Sequence, residues 1–362
     1  MPEFLEPQTN ESQAIGDSIV VQPYSIANLP PLVVGGAVFN TQYSSNPSSL
    51  PIQEILEDAF AKGLNAIDTS PYYGPSEILL GEALKKISFP RQEYYICTKA
   101  GRVKLDDFDY SRDSVRKSVE RSLERLNTSY LDLVYMHDIE FVKEDEIFDA
   151  LKELKLLKTE GLIKNFGISG YPVRFLHKIA SRSVGIPEIG PLDAVLSYSN
   201  GCIQNTRLFE FYDQFFDDCK LKKLSNGSIL SMSLLRSDIT HSFHPASKEL
   251  KDKVYDIAHL LKKEYNGLEL ADLATRFALR KWLFETVHQA DSSNLHWNPS
   301  TSIVLGVSNV EELDVAIRCY WQVKNNIDNI NTKDDILFEK VKNLLGPEHF
   351  NEVWPSGIDG RQ

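Results

Sequence analysis

The sequence predicts an α/β fold, a (β/α)8 TIM barrel, and three observations support this prediction. Eight short apolar runs alternate with segments of helical periodicity, a pattern typical of parallel strands joined by crossover helices. Eight is also the number of strands in a closed parallel barrel of this type. Three of the runs end in a titratable side chain, as expected where the carboxyl ends of the strands form a rim that carries chemistry.

The predicted strands are apolar runs bounded by polar or turn-forming residues. They are 32–38, 66–68, 94–99, 131–137, 165–168, 194–197, 222–225 and 302–307. The predicted helices repeat apolar residues at spacings of three and four. They are 52–62, 76–86, 111–126, 147–160, 172–181, 207–219, 248–265 with 270–280, and 310–323. Gly63 and Gly161 follow two of these helices, where a left-handed C′ residue is favoured.

The domain organisation follows from this pattern. Residues 1–28 are expected to form a polar N-terminal extension, 29–325 the barrel, and 326–362 a C-terminal tail that packs on or near the barrel. A stretch from about 284 to 301 reads as a loop inserted before the last strand. A chain of 362 residues is long for one domain, but α/β barrels commonly form a single unit of this size.

Composition restricts the partners. A formal net charge of −12 argues against nucleic acid and anionic membrane surfaces and favours a small neutral ligand. Four cysteines without close spacing indicate a reduced chain, and no apolar run reaches the length of a membrane span. Since the N-terminus also lacks a signal-peptide pattern, we expect a cytoplasmic protein, either monomeric or a homodimer.

Four side chains are expected to meet at the rim. Asp68, Lys99 and His137 end predicted strands, and Tyr73 follows Asp68 by five residues. A phenol exchanges a proton near neutral pH only if its surroundings stabilise phenolate. A buried Lys99, kept charged by Asp68, should lower the pKa of Tyr73, while His137 hydrogen-bonds and orients a substrate oxygen. The sequence therefore predicts a proton-transfer site.

Each of these residues also has a structural interpretation. Asp68 could form a turn, His137 could be a satisfied structural histidine, and Lys99 could end a strand in solvent. Tyr73 precedes a glycine, which is common in turns. From the residues alone, its neighbour Tyr72 could equally be the acid.

Two motifs resemble the aldo-keto reductase family over roughly residues 30–325. They are Asp68-Thr-Ser-Pro-Tyr-Tyr-Gly-Pro-Ser-Glu77 and Gly161-Leu-Ile-Lys-Asn-Phe-Gly-Ile-Ser169. The resemblance implies a catalytic tetrad of Asp68, Tyr73, Lys99 and His137. It selects Tyr73 over Tyr72, because the family places its catalytic tyrosine directly before the glycine.

Within the family the likeness is greatest to fungal NAD-dependent D-arabinose dehydrogenases and plant L-galactose dehydrogenases. This implies oxidation of the C1 hydroxyl of a cyclic aldose, D-arabinose to its 1,4-lactone as in erythroascorbate synthesis. L-galactose or L-fucose are alternative substrates, and a general aldehyde reductase is an alternative activity. Because channel-associated members of the superfamily serve as subunits, a nucleotide-binding regulatory protein is the competing class.

The resemblance also implies a nicotinamide cofactor lying across the rim, with no metal. Its expected contacts are Gly36, Ala37, Asp68, Ser169, Gly170, Ser197, Ser228, Leu230, Gly306, Val307 and Ser308. Two positions depart from the family pattern. Gly170 stands where most members have asparagine, and Gly227 stands where an aromatic ring often stacks on the nicotinamide.

Charge after the eighth strand favours NAD over NADP. Members that prefer NADP place lysine and arginine there, whereas residues 304–312 contain neither. Glu311 and Glu312 would repel the 2′-phosphate if they faced it. Alternatively, both glutamates belong to the first turn of a helix, stabilised by its dipole, and point elsewhere.

Other candidates lie near the rim. We expect Asp138, Glu140 and Phe141 to line the substrate mouth, although Glu140 could equally belong to a solvated surface. His241 and His244 have a spacing that could hold a metal, but no cysteine or acidic cluster completes such a site. Trp354 is hypothesised to lie in a tail that folds over the rim.

Overall fold

A computed structural model describes residues 25–236, 240–286 and 295–361. Eight parallel strands close a barrel, and a two-stranded hairpin follows the third of them. The strands are β1 Leu32–Gly35, β2 Ala66–Asp68, β3 Tyr95–Ala100, β4 Arg102–Lys104, β5 Asp107–Phe108, β6 Leu133–Met136, β7 Phe166–Gly170, β8 Ala194–Tyr198, β9 Lys223–Gly227 and β10 Thr301–Gly306. All except the hairpin strands β4 and β5 belong to the barrel, which confirms the predicted fold class.

The barrel closes by pairing its first and last strands. Leu32 of β1 pairs with Ile303 of β10, and Gly35 pairs with Gly306. On its other side Gly35 pairs with Asp68 of β2. This register brings Gly35, Asp68 and Gly306 to the same end of the barrel, where the strands finish.

Helices pack around the barrel. They are α1 Ile52–Ala61, α2 Ser76–Leu84, α3 Arg112–Arg125, α4 Glu144–Glu160, α5 Val173–Val184, α6 Arg207–Glu210, α7 Tyr212–Asp217, α8 Lys248–Glu264, α9 Leu270–Ala278, α10 Val310–Lys324 and α11 Ile330–His349. Across the described ranges, no helix combines the length and apolar character needed to cross a membrane.

Three apolar clusters hold these elements together. The largest lies between the barrel strands and the surrounding helices, and a second joins α8, α9 and α11. A third fills the barrel interior with side chains such as Tyr95, Leu133 and Tyr135. The interior is therefore a packed core.

Local signals account for several helix ends. Ser111, Ser247 and Asn309 accept hydrogen bonds from backbone N–H groups in the first turns of α3, α8 and α10. Gly63 and Gly161 have φ of +82° and +84°, which confirms their predicted left-handed conformation. Glycine adopts this conformation without the clash that a Cβ would cause.

The elements differ from the prediction in several places, and the hairpin of β4 and β5 was not predicted. The first predicted strand stops at Gly35 and continues as a 3-10 turn over Gly36–Val38. The predicted helix 207–219 is divided into α6 and α7, and α9 continues into a π-helical turn, Leu279–Phe284. Helix α11 was not predicted at all. Most of the N-terminal extension and residues 287–294 of the predicted insertion lie outside the described residues.

Candidate active site

A cavity of about 450 Å³ opens at the C-terminal end of the barrel. All eight barrel strands, or the segments that follow them, contribute to its wall. Trp354, Pro355 and Ser356, from the segment after α11, complete it. This volume and position are typical of a small-molecule site on a parallel barrel.

Asp68, Tyr73, Lys99 and His137 all line this cavity. Lys99 is 2% exposed and donates hydrogen bonds to Asp68 and to the Thr69 carbonyl, the latter at 2.9 Å. Its Nζ lies 4.9 Å from the centre of the Tyr73 ring. The structure thus brings the four predicted side chains together.

Burial and the ion pair shift the pKa values in this cluster. Burial lowers the pKa of Lys99, but Asp68 and Tyr73 outweigh burial, so the net pKa is raised and the amine stays charged. Burial raises the pKa of Asp68, and Lys99 only partly offsets it. A charged lysine beside a phenol is therefore present, as the sequence predicts.

The net effect on Tyr73 differs from the prediction. Burial raises the pKa of Tyr73 most strongly, Lys99 lowers it, and Asp68 and Asp138 raise it again. Lys99 lowers the pKa of Tyr73, as predicted. The predicted net lowering of that pKa is wrong, because the cost of desolvating the phenolate exceeds the stabilisation by Lys99. Tyr73 is therefore a protonated phenol at neutral pH.

His137 is held neutral and fixed in orientation. Its Nδ1 lies 3.0 Å from Ser70 Oγ, and its carbonyl accepts a 2.6 Å hydrogen bond from the Tyr110 hydroxyl. Burial, with the cations Lys99 and Arg102 nearby, keeps the pKa of His137 well below its ordinary value. Its ring is perpendicular to that of Tyr73, with centroids 5.6 Å apart.

The neighbouring tyrosine occupies a different environment. Arg102 lies over the ring of Tyr72, 3.9 Å from its centroid, while Lys99 lies over the ring of Tyr73. Both phenols line the cavity. Only Tyr73 has the lysine contact that the proton-transfer hypothesis needs.

A second ion pair in the cavity wall was not predicted. Asp138 was expected at the mouth, but its salt bridge with Arg102, and Arg102 itself, were missed. Arg102 follows Gly101, whose φ of +99° turns the chain sharply after β3. The signal that could have found Arg102 was its position directly after a strand end that carries Lys99.

The expected cofactor residues divide into two groups. Those that line the cavity are Ala37, Asp68, Ser169, Ser228, Leu230 and Gly306. The structure does not bring Gly36, Gly170, Ser197, Val307 or Ser308 to the cavity wall. Packing explains the position of Gly36, since a Cβ there would lie 2.7 Å from Ser76 Oγ.

Glu140 is not part of a solvated surface or of the cavity wall. It is fully buried, and its Oε1 accepts hydrogen bonds from the Tyr171 backbone N–H at 2.9 Å and from Ser356 Oγ at 3.1 Å. Burial, assisted by the Asp138 carboxylate, raises the pKa of Glu140 to about 8. A Cβ on Gly170 would lie 2.2 Å from Glu140 Oε2, so this carboxyl group fills the space beside that glycine.

The segment after α11 is anchored to the loop that contains Glu140. The Glu140 carbonyl accepts hydrogen bonds from the Ile358 N–H and from Arg361, both at 2.9 Å. Trp354 stacks on Tyr171 with ring centroids 4.5 Å apart. These contacts fix the residues that border the cavity on this side.

The loop after β9 has an unusual backbone. Ser231, Met232 and Ser233 are consecutive residues with φ of +48°, +49° and +79°. Two N–H groups of this run are already used, because the Ser231 N–H donates to the Ser228 carbonyl at 2.7 Å and the Met232 N–H donates to Ser228 Oγ at 2.8 Å. Met232, Ser233 and Arg236 border the cavity, and Ser231 Oγ is buried without a hydrogen-bond partner among the described residues.

Gly227 leaves part of the cavity wall open. A Cβ there would meet nothing closer than 3.5 Å, so packing does not require glycine at this position.

The segment after β10 ends in a helix cap, where Asn309 accepts from the Glu312 N–H and the Glu312 carboxylate accepts from the Ser308 N–H at 2.7 Å. Glu312 is thus a first-turn residue folded onto its own helix terminus, as the alternative interpretation has it.

His244 has a structural environment. One ring nitrogen lies 2.8 Å from the Ser231 carbonyl, and the other accepts a hydrogen bond from the Ala246 N–H. Both nitrogens are therefore used, and within the described ranges no cluster of three histidine, cysteine or acidic residues is arranged to hold a metal.

The barrel and its rim site define an oxidoreductase of the (β/α)8 class. The Aldo/keto reductase family model matches residues 31–336, and the chain belongs to this family. It is 49% identical to D-arabinose 1-dehydrogenase of Saccharomyces cerevisiae, over 93% of this chain and 97% of that protein. It is 32% identical to L-galactose dehydrogenase of Arabidopsis thaliana, over 84% and 86% of the two chains.

Solved structures agree with the fold. An aldo-keto reductase from Bacillus halodurans in its holo form superposes with a TM-score of 0.61 at 18% identity, covering 90% of this chain and 96% of that one. Aldo-keto reductases use nicotinamide cofactors. Arg236 borders the cavity and supplies positive charge suited to a diphosphate, and the wall left open by Gly227 suits a flat ring, so the residues present fit such a group.

Proposed function

We propose that this protein is an NAD-dependent sugar dehydrogenase that oxidises the C1 hydroxyl of a cyclic aldose, with D-arabinose as the first candidate. The proposal rests chiefly on one observation, the buried contact of Lys99 with both Asp68 and Tyr73 at the cavity wall. The 49% identity with a protein named D-arabinose 1-dehydrogenase supports the choice of sugar.

The chain's own residues would bind and deprotonate the sugar. The hemiacetal hydroxyl is held between the Tyr73 hydroxyl and the neutral His137 ring. Oxidation requires the phenolate form of Tyr73, which is a minor species at neutral pH and which Lys99 stabilises. This phenolate takes the hydroxyl proton as C1 becomes the lactone carbonyl. The bound nicotinamide supplies the hydride acceptor. In the reductive direction Tyr73 donates the proton instead.

NAD is the proposed cofactor because nothing in residues 304–312 would neutralise a 2′-phosphate. This stretch contains no lysine or arginine. A second phosphate charge would therefore be disfavoured on electrostatic grounds.

L-galactose is the second candidate substrate, because the Arabidopsis relative is named for it. L-fucose as the substrate, and general aldehyde reduction as the activity, are lower-ranked alternatives. A regulatory nucleotide-binding role would leave the charged lysine beside Tyr73 without a chemical use.

The test is the initial rate of NAD reduction with D-arabinose, L-galactose, L-fucose and L-xylose, repeated with NADP and with Tyr73→Phe. We expect turnover of D-arabinose with NAD, and a loss in kcat of about 10³-fold in the variant, since positioned acid–base catalysis contributes on this scale. Tyr72→Phe is the matched control and should lose far less.

Two outcomes would contradict the proposal. Nucleotide binding without turnover of any aldose would favour the regulatory class or a reductase of another carbonyl compound. Equal losses in Tyr72→Phe and Tyr73→Phe would remove the assignment of Tyr73 as the acid–base residue.

A further inference from the structure

The Arg102–Asp138 ion pair lies in the cavity wall, but neither residue exchanges a proton in the reaction described above. Asp138 is 3% exposed, and the two side chains form a salt bridge. Burying such a pair contributes little net stability, because desolvation offsets the attraction. Asp138 also has a left-handed backbone with φ of +56°, a conformation that costs free energy for a residue with a side chain. Stability alone therefore does not explain the pair.

Arg102 is held rigidly. Its guanidinium lies between the rings of Tyr72 and Phe108, with distances of 3.9 and 5.3 Å to their centroids. It donates to the carbonyls of Lys104 and Leu105 and to Asp138. A guanidinium has five N–H groups, so each terminal nitrogen keeps one N–H beyond these bonds.

Asp138 is adjacent to the atom that would hold the reacting oxygen. Its Oδ2 lies 3.5 Å from His137 Nε2. An oxygen bound to that nitrogen would place the neighbouring carbon of the substrate, and its substituent, near Asp138 and Arg102. The oxygens of a vicinal diol are about one hydrogen-bond length apart, which matches this separation.

We propose that Arg102 and Asp138 determine specificity by binding the sugar hydroxyl next to the reacting one, the C2 hydroxyl of an aldose. This hydroxyl donates to the Asp138 carboxylate and accepts from the Arg102 guanidinium. The inference rests on the proposed function and deepens it. This contact would favour sugars over simple aldehydes, which have no neighbouring hydroxyl to hydrogen-bond Asp138 and Arg102. It also disfavours acidic substrates, because Asp138 neutralises Arg102.

The experiment compares kcat/KM for D-arabinose and for 2-deoxy-D-ribose, the pentose that remains when the C2 hydroxyl of D-arabinose is removed. The wild type should prefer D-arabinose by about 10- to 100-fold, the range expected when a charged site loses its hydrogen-bonding hydroxyl. In Asp138→Asn this preference should fall at least fivefold, mainly through slower turnover of D-arabinose. Asparagine tolerates the left-handed backbone, so the change spares the fold.

Arg102→Lys is the second variant, because it keeps the positive charge near Asp138 but removes the planar donor pair. It should reduce the same preference. Asp107→Asn, an exposed carboxylate on the same hairpin that does not line the cavity, is the matched control and should leave the preference unchanged.

Three results would overturn the assignment. A wild type that treats both pentoses alike does not recognise the C2 hydroxyl. Equal losses for both pentoses in Asp138→Asn and Arg102→Lys would mean that the pair acts only through His137 or through packing. If neither these pentoses nor any other aldose is oxidised, the proposed function fails, and the assignment fails with it.

Discussion

At the residue scale, Gly170 shows how one missing side chain makes room for another. The Glu140 carboxyl group occupies the position that a Cβ on Gly170 would need, at 2.2 Å. We expect Gly170→Ala to displace Glu140 and to lower the free energy of unfolding by about 2 kcal/mol or more. Urea denaturation measures this change.

The matched control for that substitution is Gly185→Ala. Gly185 has a negative φ, and a Cβ there would meet only the Arg182 carbonyl at 3.8 Å. Equal stabilities of the two variants would mean that the space beside Gly170 adapts freely.

Glu140 should also make stability depend on pH. Its pKa rises from an ordinary 4.5 to about 8 in the folded protein. Below pH 4.5 the carboxyl is protonated in both the folded and the unfolded protein, so its full contribution to the free energy of unfolding is present. As pH rises toward 8 only the unfolded state ionises, and up to about 4 kcal/mol of stability is lost.

Glu140→Gln should remove this pH-dependent loss of stability, because an amide does not ionise. Its oxygen can still accept the hydrogen bonds from the Tyr171 N–H and Ser356 Oγ. The comparison is the urea midpoint of wild type and variant at pH 5 and pH 8, with the exposed Glu339→Gln as control. A variant with the same pH slope as the wild type would show that Glu140 is ionised in the folded protein.

At the scale of elements, the segment after α11 borders the cavity through Trp354. We expect Trp354→Ala to raise KM for D-arabinose about tenfold, the equivalent of ~1.4 kcal/mol, because the ring lines the cavity and stacks on Tyr171. Ile358→Ala is the control, since Ile358 is 43% exposed and its backbone bond to Glu140 is retained. An unchanged KM in Trp354→Ala would exclude the tail from substrate binding.

Helix α11 shows what sequence reasoning can overlook. Its buried residues Leu337, Phe338, Val341 and Leu345 repeat at helical spacing, so the pattern was present in the sequence. Pro347 and the preceding Gly346, at the end of the helix, resemble loop residues. The buried Arg276–Asp334 pair that joins α9 to α11 could not be predicted, because nothing local connects positions so far apart.

At the scale of the whole molecule, the sequence predicted the barrel and the convergence of Asp68, Tyr73, Lys99 and His137. Both follow from local patterns, since apolar strand runs and the titratable residues that end them can be recognised within short stretches of sequence. The net pKa of Tyr73 and the burial of Glu140 were predicted incorrectly. These depend on desolvation by residues from distant segments, which only the folded arrangement reveals.

The seam of the barrel has a consequence for how the protein folds. Leu32 and Gly35 pair with Ile303 and Gly306, so β1 stays an open edge until nearly the whole barrel sequence has been arranged. Such distant pairings are slow to form. Because Gly35 and Gly306 also line the cavity, a chain with an open seam has helices and most strands but no complete ligand site. On refolding, activity should therefore return later than the helical circular dichroism signal.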